Sequence, residues 1–215
     1  MNLDQARFFM VEQQIRPWDV LDPKILDQFL EIPRHNFVAE SQQGLAYADI
    51  ELPIGHGEAM MAPKIEARLL QAVDIDKAET VLEVGTGSGF LTAIMANQAK
   101  SVTTIEIHRD LHEQAKARLT NFNNIEFHVG DASHNWNDAR SYDVIVLTGS
   151  VAEMPEIYKN KLNLGGRLAV VIGRSPAMTA QVLTRISETE WEIETLFETD
   201  LKALINAEAK PTFTL

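Results

Sequence analysis

The chain has 215 residues, 45% of them hydrophobic, with 19 basic against 31 acidic side chains and a formal net charge of −12. That balance excludes a broad electrostatic grip on nucleic acid or an anionic membrane, because neutralising phosphates takes clustered Lys and Arg. No cysteine is present, which excludes disulfides, thiolate nucleophiles and cysteine metal sites and is compatible with a reducing cytoplasm, the expected compartment.

The length predicts one domain over 1–215. Its first residues, MNLDQARFFMVEQQIRP, include acids and no long apolar run, so neither a signal peptide nor a membrane span is expected. Residues 4–15 carry Phe8, Phe9, Val11 and Ile15 on a partial apolar face and predict a helix that Pro17 stops. Asp22 and Pro23 read as N-cap and first position of a second helix, with Ile25, Leu26, Phe29 and Leu30 as its stripe and Pro33 as its end. Residues 44–62, GLAYADIELPIGHGEAMMA, read as a long irregular loop, and such a loop in a compact domain is usually functional or a lid. Residues 1–62 are thus expected to form a helical extension and a substrate loop, ahead of a core over 63–215. Pro63 opens a third helix with Ile65, Leu69, Leu70 and Val73 on one face.

From Thr80 strands and helices alternate. Strands are expected at 80–84, 101–106, 124–129, 142–148 and 167–173, and helices from Phe90 and at 109–121, 154–162 and 176–186. The last strand candidates, 191–200 and 211–215, are expected to form an antiparallel edge pair. The pattern predicts an α/β fold: a doubly wound, mostly parallel, seven-stranded Rossmann-like sheet with an antiparallel C-terminal edge.

The densest signal is 80–96, TVLEVGTGSGFLTAIMA. A buried strand with Glu83 near its end runs into Gly85, Gly87 and Gly89 and then a helix, a turn where backbone amides approach a ligand. The spacing departs from the dinucleotide pattern G-x-G-x-x-G, since Phe90 occupies the third position, and no Gly-Lys-Ser/Thr phosphate loop follows. A turn that holds no ligand is the competing reading. Glu106 lies 21 residues after Gly85 at a strand end, a spacing suited to both ribose hydroxyls. Asp131, before Ala132, follows the third strand and is placed to accept an adenine amino group. An ordinary strand-end acid and a helix N-cap are the alternatives for these two. His108 and His112 lack a third metal donor, and no zinc site is expected. Trp18, Trp136 and Trp191 are too scattered for a base-stacking platform.

The form E-V-G-T-G-S-G resembles motif I of class I S-adenosylmethionine-dependent methyltransferases. AYADIELPIGHGEAMMAP at 46–63 resembles the loop AYxDxxLPIGxGQTISQP of the protein-L-isoaspartate O-methyltransferase family, and MVEQQI, IPRHNFV and LGGRLAVVIG are similar to it as well, so the likeness runs from about Phe9 to Gly173. The resemblance implies the methyltransferase fold and S-adenosyl-L-methionine as cofactor. It implies a cofactor site of Glu83, Gly85, Thr86, Gly87, Ser88, Gly89, Glu106, Ile107, Asp131, Ala132 and Thr148. It also implies methylation of the α-carboxylate of isoaspartyl residues in proteins or peptides, a protein-repair reaction. The chain departs from the family where Thr-Ile-Ser falls on Ala59-Met60-Met61: Ala59 and Met61 stand at the two hydroxyl positions. An apolar, adaptable acceptor pocket is the consequence. A different small-molecule or protein acceptor, or a cofactor-binding protein without catalysis, stay open beside the isoaspartyl reading. An ionised carboxylate acceptor needs no general base; His56 or Glu58 would supply one for another acceptor. Thr148, Gly149 and Ser150, after the fourth strand, fall where methyl and acceptor would meet, and a plain turn explains them equally.

Overall fold

The computed structural model describes residues 2–207. Helix α1 (Leu3–Met10) is capped by the Asn2 side chain, which accepts from the backbone N–H groups of Asp4 and Gln5. It continues into a π turn over Val11–Ile15 and a 3₁₀ turn over Arg16–Trp18. Met10, Val11 and Ile15 are buried, whereas Phe8 and Phe9 face solvent instead of the core expected for them. Asp22 caps α2 (Pro23–Glu31) by accepting from Lys24 N–H, as the sequence predicts.

The stretch at 44–62 is more ordered than an irregular loop. Within it β1 (Leu52–Gly55) and β2 (Glu58–Met60) pair as an antiparallel hairpin. His56 and Gly57 form its turn with φ of 55° and 74°, the left-handed pair that matches the twist of a two-residue hairpin. Helix α3 (Pro63–Val73) then buries Ile65, Leu69, Leu70 and Val73.

The core follows as β3 (Thr80–Val84), α4 (Phe90–Gln98), β4 (Ser101–Glu106), α5 (Arg109–Arg118), β5 (Ile125–Val129), β6 (Tyr142–Leu147), α6 (Glu156–Asn160), β7 (Leu162–Arg174), β8 (Ala177–Arg185) and β9 (Trp191–Thr199). The sheet order is β5-β4-β3-β6-β7-β8-β9, parallel from β5 to β7 and antiparallel from β7 to β9. Alternate strand residues face opposite layers. Val81, Val144, Val146, Ala169 and Val171 pack toward α3, α4 and the N-terminal extension. Leu82, Val84, Ile145, Leu147, Leu168 and Val170 pack toward Tyr158 on the other side.

Four expectations are corrected. Residues 176–186 form β8, not a helix. Ala, Met, Gln and Leu favour a helix locally, but Met178, Ala180 and Val182 are buried at period two, and pairing with the 13-residue β7 satisfies its open edge. The antiparallel edge is therefore β7–β8–β9, and the strand expected at 211–215 lies outside the described residues. The helix expected at 154–162 shrinks to the five residues of α6, and that expected at 109–121 ends at Arg118.

Candidate functional site

The chain builds the sheet outward from β3 to β5 and then returns to place β6 on the other side of β3. Ligands of open α/β sheets bind at the carboxyl ends of strands beside such a reversal. A cleft opens there. Its floor is the end of β3 with Gly85 and Gly87, the end of β4 with Glu106 and Ile107, the loop at Gly130–Asp131–Ala132 after β5, and Thr148 after β6. Its roof is the β1–β2 hairpin, through Ile54, Gly57, Glu58 and Ala59. Residues 201–205 complete the wall. Ser150 fixes them: its N–H donates to Lys202 O at 2.9 Å, its carbonyl accepts from Leu204 N–H at 3.0 Å, and its hydroxyl donates to Leu201 O at 2.7 Å. Lys202 in turn reaches the roof, donating to Gly57 O at 2.8 Å and pairing with Glu58.

The glycines divide their work. Gly85 has φ +96°, and a Cβ there would run into Thr148 Oγ1, whose hydroxyl donates to Gly85 O at 2.7 Å. Gly87 donates its N–H to Glu106 Oε2 at 2.8 Å. Gly89, by contrast, lines no cleft. It sits at the N-cap of α4 with φ +87°, and a Cβ would meet Leu119 at 3.0 Å and Ala115 at 3.2 Å, so its role is the close approach of α4 and α5.

Glu106 is 4% exposed and accepts Gly87 N–H on one oxygen and His108 N–H, at 3.0 Å, on the other. Each oxygen keeps a further lone pair. Asp131 accepts from Ser133 N–H at 2.9 Å and Asn206 Nδ2 at 2.8 Å. What burial it has pushes its carboxyl up, but the donors from Ser133 and Asn206 outweigh this and hold it below the usual carboxylate value. The Tyr158 hydroxyl donates to Ala132 O and pins this loop. Two carboxylates at neighbouring strand ends, with Ile107, Leu111 and Ala132 supplying apolar walls, fit a nucleoside: acceptors for ribose hydroxyls and a base amine, and surface for the ring.

A smaller inner cavity lies behind the turn, lined by Ala59, Met61, Glu66, Glu83, Thr86 and Ser88. Glu83, Thr86 and Ser88 thus face it rather than the main cleft. Glu83 is fully buried; its Oε2 accepts from the hydroxyls of Thr92 and Thr104, each at 2.6 Å, and its Oε1 has no partner. Burial raises its carboxyl to about 8, against the lowering effect of the two hydroxyls. Thr86 is tied to Thr104 at 2.5 Å. Two residues that sequence reasoning missed complete this region. Arg34, wholly buried, pairs with Glu66 and donates to Met61 O at 2.6 Å. Burial lifts Glu66 to about 7 despite the neighbouring guanidinium. The only sequence signal for the pair is an arginine after Ile32-Pro33 and an acid on the apolar face of α3.

His56 is not in the cleft. At the hairpin tip it bonds Asp110 at 2.8 and 2.9 Å and stacks on His108 with ring centroids 4.0 Å apart. It therefore fastens the roof to the start of α5, while Glu58 lines the cleft.

Glu66 and Glu83 hold protons more tightly in the folded chain than an exposed carboxyl does. Their contribution to stability is complete below the usual carboxylate range and is lost as pH rises toward 7 and 8. Unfolding free energy is expected to fall between roughly pH 5 and 8, by up to about 1.4 kcal/mol per pH unit per group. Glu83→Gln should flatten that fall. Urea titrations across this range check both, and a flat wild-type profile would contradict the burial argument.

Comparison with known proteins follows the same line. A family model for protein-L-isoaspartate(D-aspartate) O-methyltransferase matches residues 7–208. Protein-L-isoaspartate O-methyltransferase 1 of Geotalea uraniireducens is 34% identical over 209 residues, covering 96% of this chain and 95% of that protein. The protein-L-isoaspartate O-methyltransferase of Dictyoglomus turgidum is 42% identical over 152 residues, covering 70% and 69%. Among solved structures, a protein-L-isoaspartate O-methyltransferase superposes with TM-score 0.79 at 27% identity; the match covers 94% of this chain and 65% of the other, larger one. A Plasmodium falciparum protein in complex with S-adenosyl-L-homocysteine has TM-score 0.78 at 20% identity, covering 95% and 98%, a likeness of fold. The chain belongs to the protein-L-isoaspartate (D-aspartate) O-methyltransferase family.

Proposed function

We propose that the chain is an S-adenosyl-L-methionine-dependent O-methyltransferase acting on the α-carboxylate of isoaspartyl residues in proteins or peptides. The observation that carries this is the meeting of Gly85, Glu106 and Asp131 in one cleft at the sheet's reversal, in a chain whose family match spans 7–208. In this reading residues 1–62 and 63–215 work as one domain, the first part supplying the roof and the second the floor.

When bound, the cofactor supplies a methyl group made electrophilic by its sulfonium. The chain's part is positional. Glu106 accepts from the ribose hydroxyls and Asp131 from the adenine amino group. Gly85 lets the backbone approach, Ile107 and Ala132 flank the base, and Thr148 fixes the turn from the β6 side. The hairpin keeps water out. An isoaspartyl carboxylate is ionised at neutral pH, so orientation and dehydration, with no general base, suffice.

The acceptor side rests on Ala59, which faces both cleft and inner cavity, and on Met61, which lines the inner one. Neither donates a hydrogen bond from its side chain. This favours a second reading in which the same enzyme prefers a less polar, small-molecule carboxylate. Methyl transfer from labelled cofactor to an isoaspartyl peptide, with the aspartyl peptide as control, tests the primary reading; transfer to neither overturns it. Restoring the hydroxyls with Ala59→Thr and Met61→Ser is expected to raise kcat/KM for the isoaspartyl peptide roughly tenfold or more, the worth of one or two hydrogen bonds to a charged group. An unchanged value would remove these positions from the acceptor site.

A further inference from the structure

Four acids line the main cleft, Glu51, Glu58, Glu106 and Asp131, against a single Lys or Arg among the described residues, Lys202. The whole chain adds to this field with a formal net charge of −12. Glu51 registers the crowding: its carboxyl is raised, first by burial and then by the charge of Asp200. An anionic acceptor entering the cleft therefore meets like charge on most sides. Ala59 and Met61 offer it no side-chain donor, which leaves Lys202 as the one Lys or Arg on the cleft wall.

The position of Lys202 suits that task. Its ammonium donates to Gly57 O at 2.8 Å and pairs with Glu58, so it lies against the hairpin beside the residue that precedes Ala59. Its backbone carbonyl is held by Ser150 N–H, and two residues on, Leu204 packs against Gly149 and Gly85. The lysine is thus carried on a segment fixed to the glycine turn. An ammonium has three donors, and Gly57 and Glu58 take two of them. The side chain is half exposed, within reach of a ligand arriving from solvent.

We propose that Lys202 is a specificity-determining residue that binds the carboxylate of the methyl acceptor, with Glu58 holding its ammonium against the roof until the acceptor arrives. This rests on the carboxyl methyltransferase reading made above. One carboxylate oxygen accepts from the ammonium and the other is left free. Binding moves no proton and changes no covalent bond. The methyl ester that leaves carries no charge, so the lysine holds the substrate more tightly than the product.

Steady-state methyl transfer to an isoaspartyl peptide, with calorimetric binding of S-adenosylhomocysteine alongside, tests this. Lys202→Met should raise KM for the peptide roughly tenfold to a hundredfold, the worth of a hydrogen bond between charged groups, and leave S-adenosylhomocysteine affinity as it was. Lys202→Arg, which keeps the charge, should restore most of the loss. Glu58→Gln keeps an acceptor for the ammonium but removes the competing charge, so it should lower KM by roughly twofold to fivefold. A lysine that only ties the roof to the wall predicts the opposite for Glu58→Gln, because both substitutions weaken the same pair; a rise of KM in both variants would overturn the inference. So would an unchanged KM in Lys202→Met, or an equal loss of S-adenosylhomocysteine affinity, which would assign the lysine to the cofactor. Each of these outcomes leaves the wild-type activity, and the reading behind it, standing. No transfer to the isoaspartyl peptide by the wild-type chain would instead remove that reading, and the inference with it.

Discussion

Gly85→Val is expected to abolish measurable binding of S-adenosylhomocysteine. The backbone at Gly85 has φ +96°, a region L side chains rarely adopt, and a Cβ there has no room beside Thr148 Oγ1 and lies 3.6 Å from Leu204. The strained backbone and overpacking each cost about 1–3 kcal/mol. Melting should drop by roughly 5–15 °C for a chain of this size, short of unfolding at room temperature. Affinity suffers more, because Gly85 lines both cleft and inner cavity and branched methyls would stand where the ligand must lie. The control is Gly165→Val. Gly165 also has positive φ, +78°, but no atom lies within 4 Å of its Cβ position and it is remote from the cleft. That variant should lose stability and keep affinity. Near-native affinity in Gly85→Val would show that the turn does not touch the ligand.

The second large effect concerns the Arg34–Glu66 pair. Arg34→Met should destabilise the chain by about 3–5 kcal/mol, since Glu66 is left buried without its counter-charge. Glu66 can escape by taking a proton, so the loss should be smaller at pH 6 than at pH 8. Adding Glu66→Met should recover most of it, because a packed apolar pair replaces an ion pair of similar volume. Denaturant titrations of the single and paired variants at both pH values measure the coupling. Equal losses at pH 6 and 8, or no recovery in the paired variant, would mean that Arg34 acts through its contacts with Met61 and Phe90 instead.

The parts legible in the sequence are those whose signal is local. The glycine turn, Glu106 and Asp131 stand at strand ends that composition and spacing mark by themselves, and all three reach the cleft. Gly89 shows the limit of that logic: it belongs to the same run of glycines, yet its freedom serves the contact of α4 with Ala115 and Leu119. Strand β8 was hidden because Ala, Met and Gln carry a helical preference that only pairing with β7 overrides. The hairpin at 52–60 was hidden by its two glycines, which mark a turn as readily as an irregular loop. Arg34 and Glu66 carried only a faint signal, because charged residues are expected at the surface and the partners of Arg34 lie 27 and 32 positions away. The wall at 201–205 depends on Ser150, 51 residues before Leu201.

The position of Arg34 also bears on how the chain is made. The groups that pair with its guanidinium are encoded later: Met61, Glu66 and, 56 residues on, Phe90. At synthesis rates of about 5–20 residues per second, the N-terminal helices emerge several seconds before their anchor exists. During that interval the apolar faces of α1 and α2 have nothing in the later chain to rest on. The extension therefore cannot lock before Phe90 is made, and a ribosome paused before residue 90 should present it to chaperones or proteases in an open form.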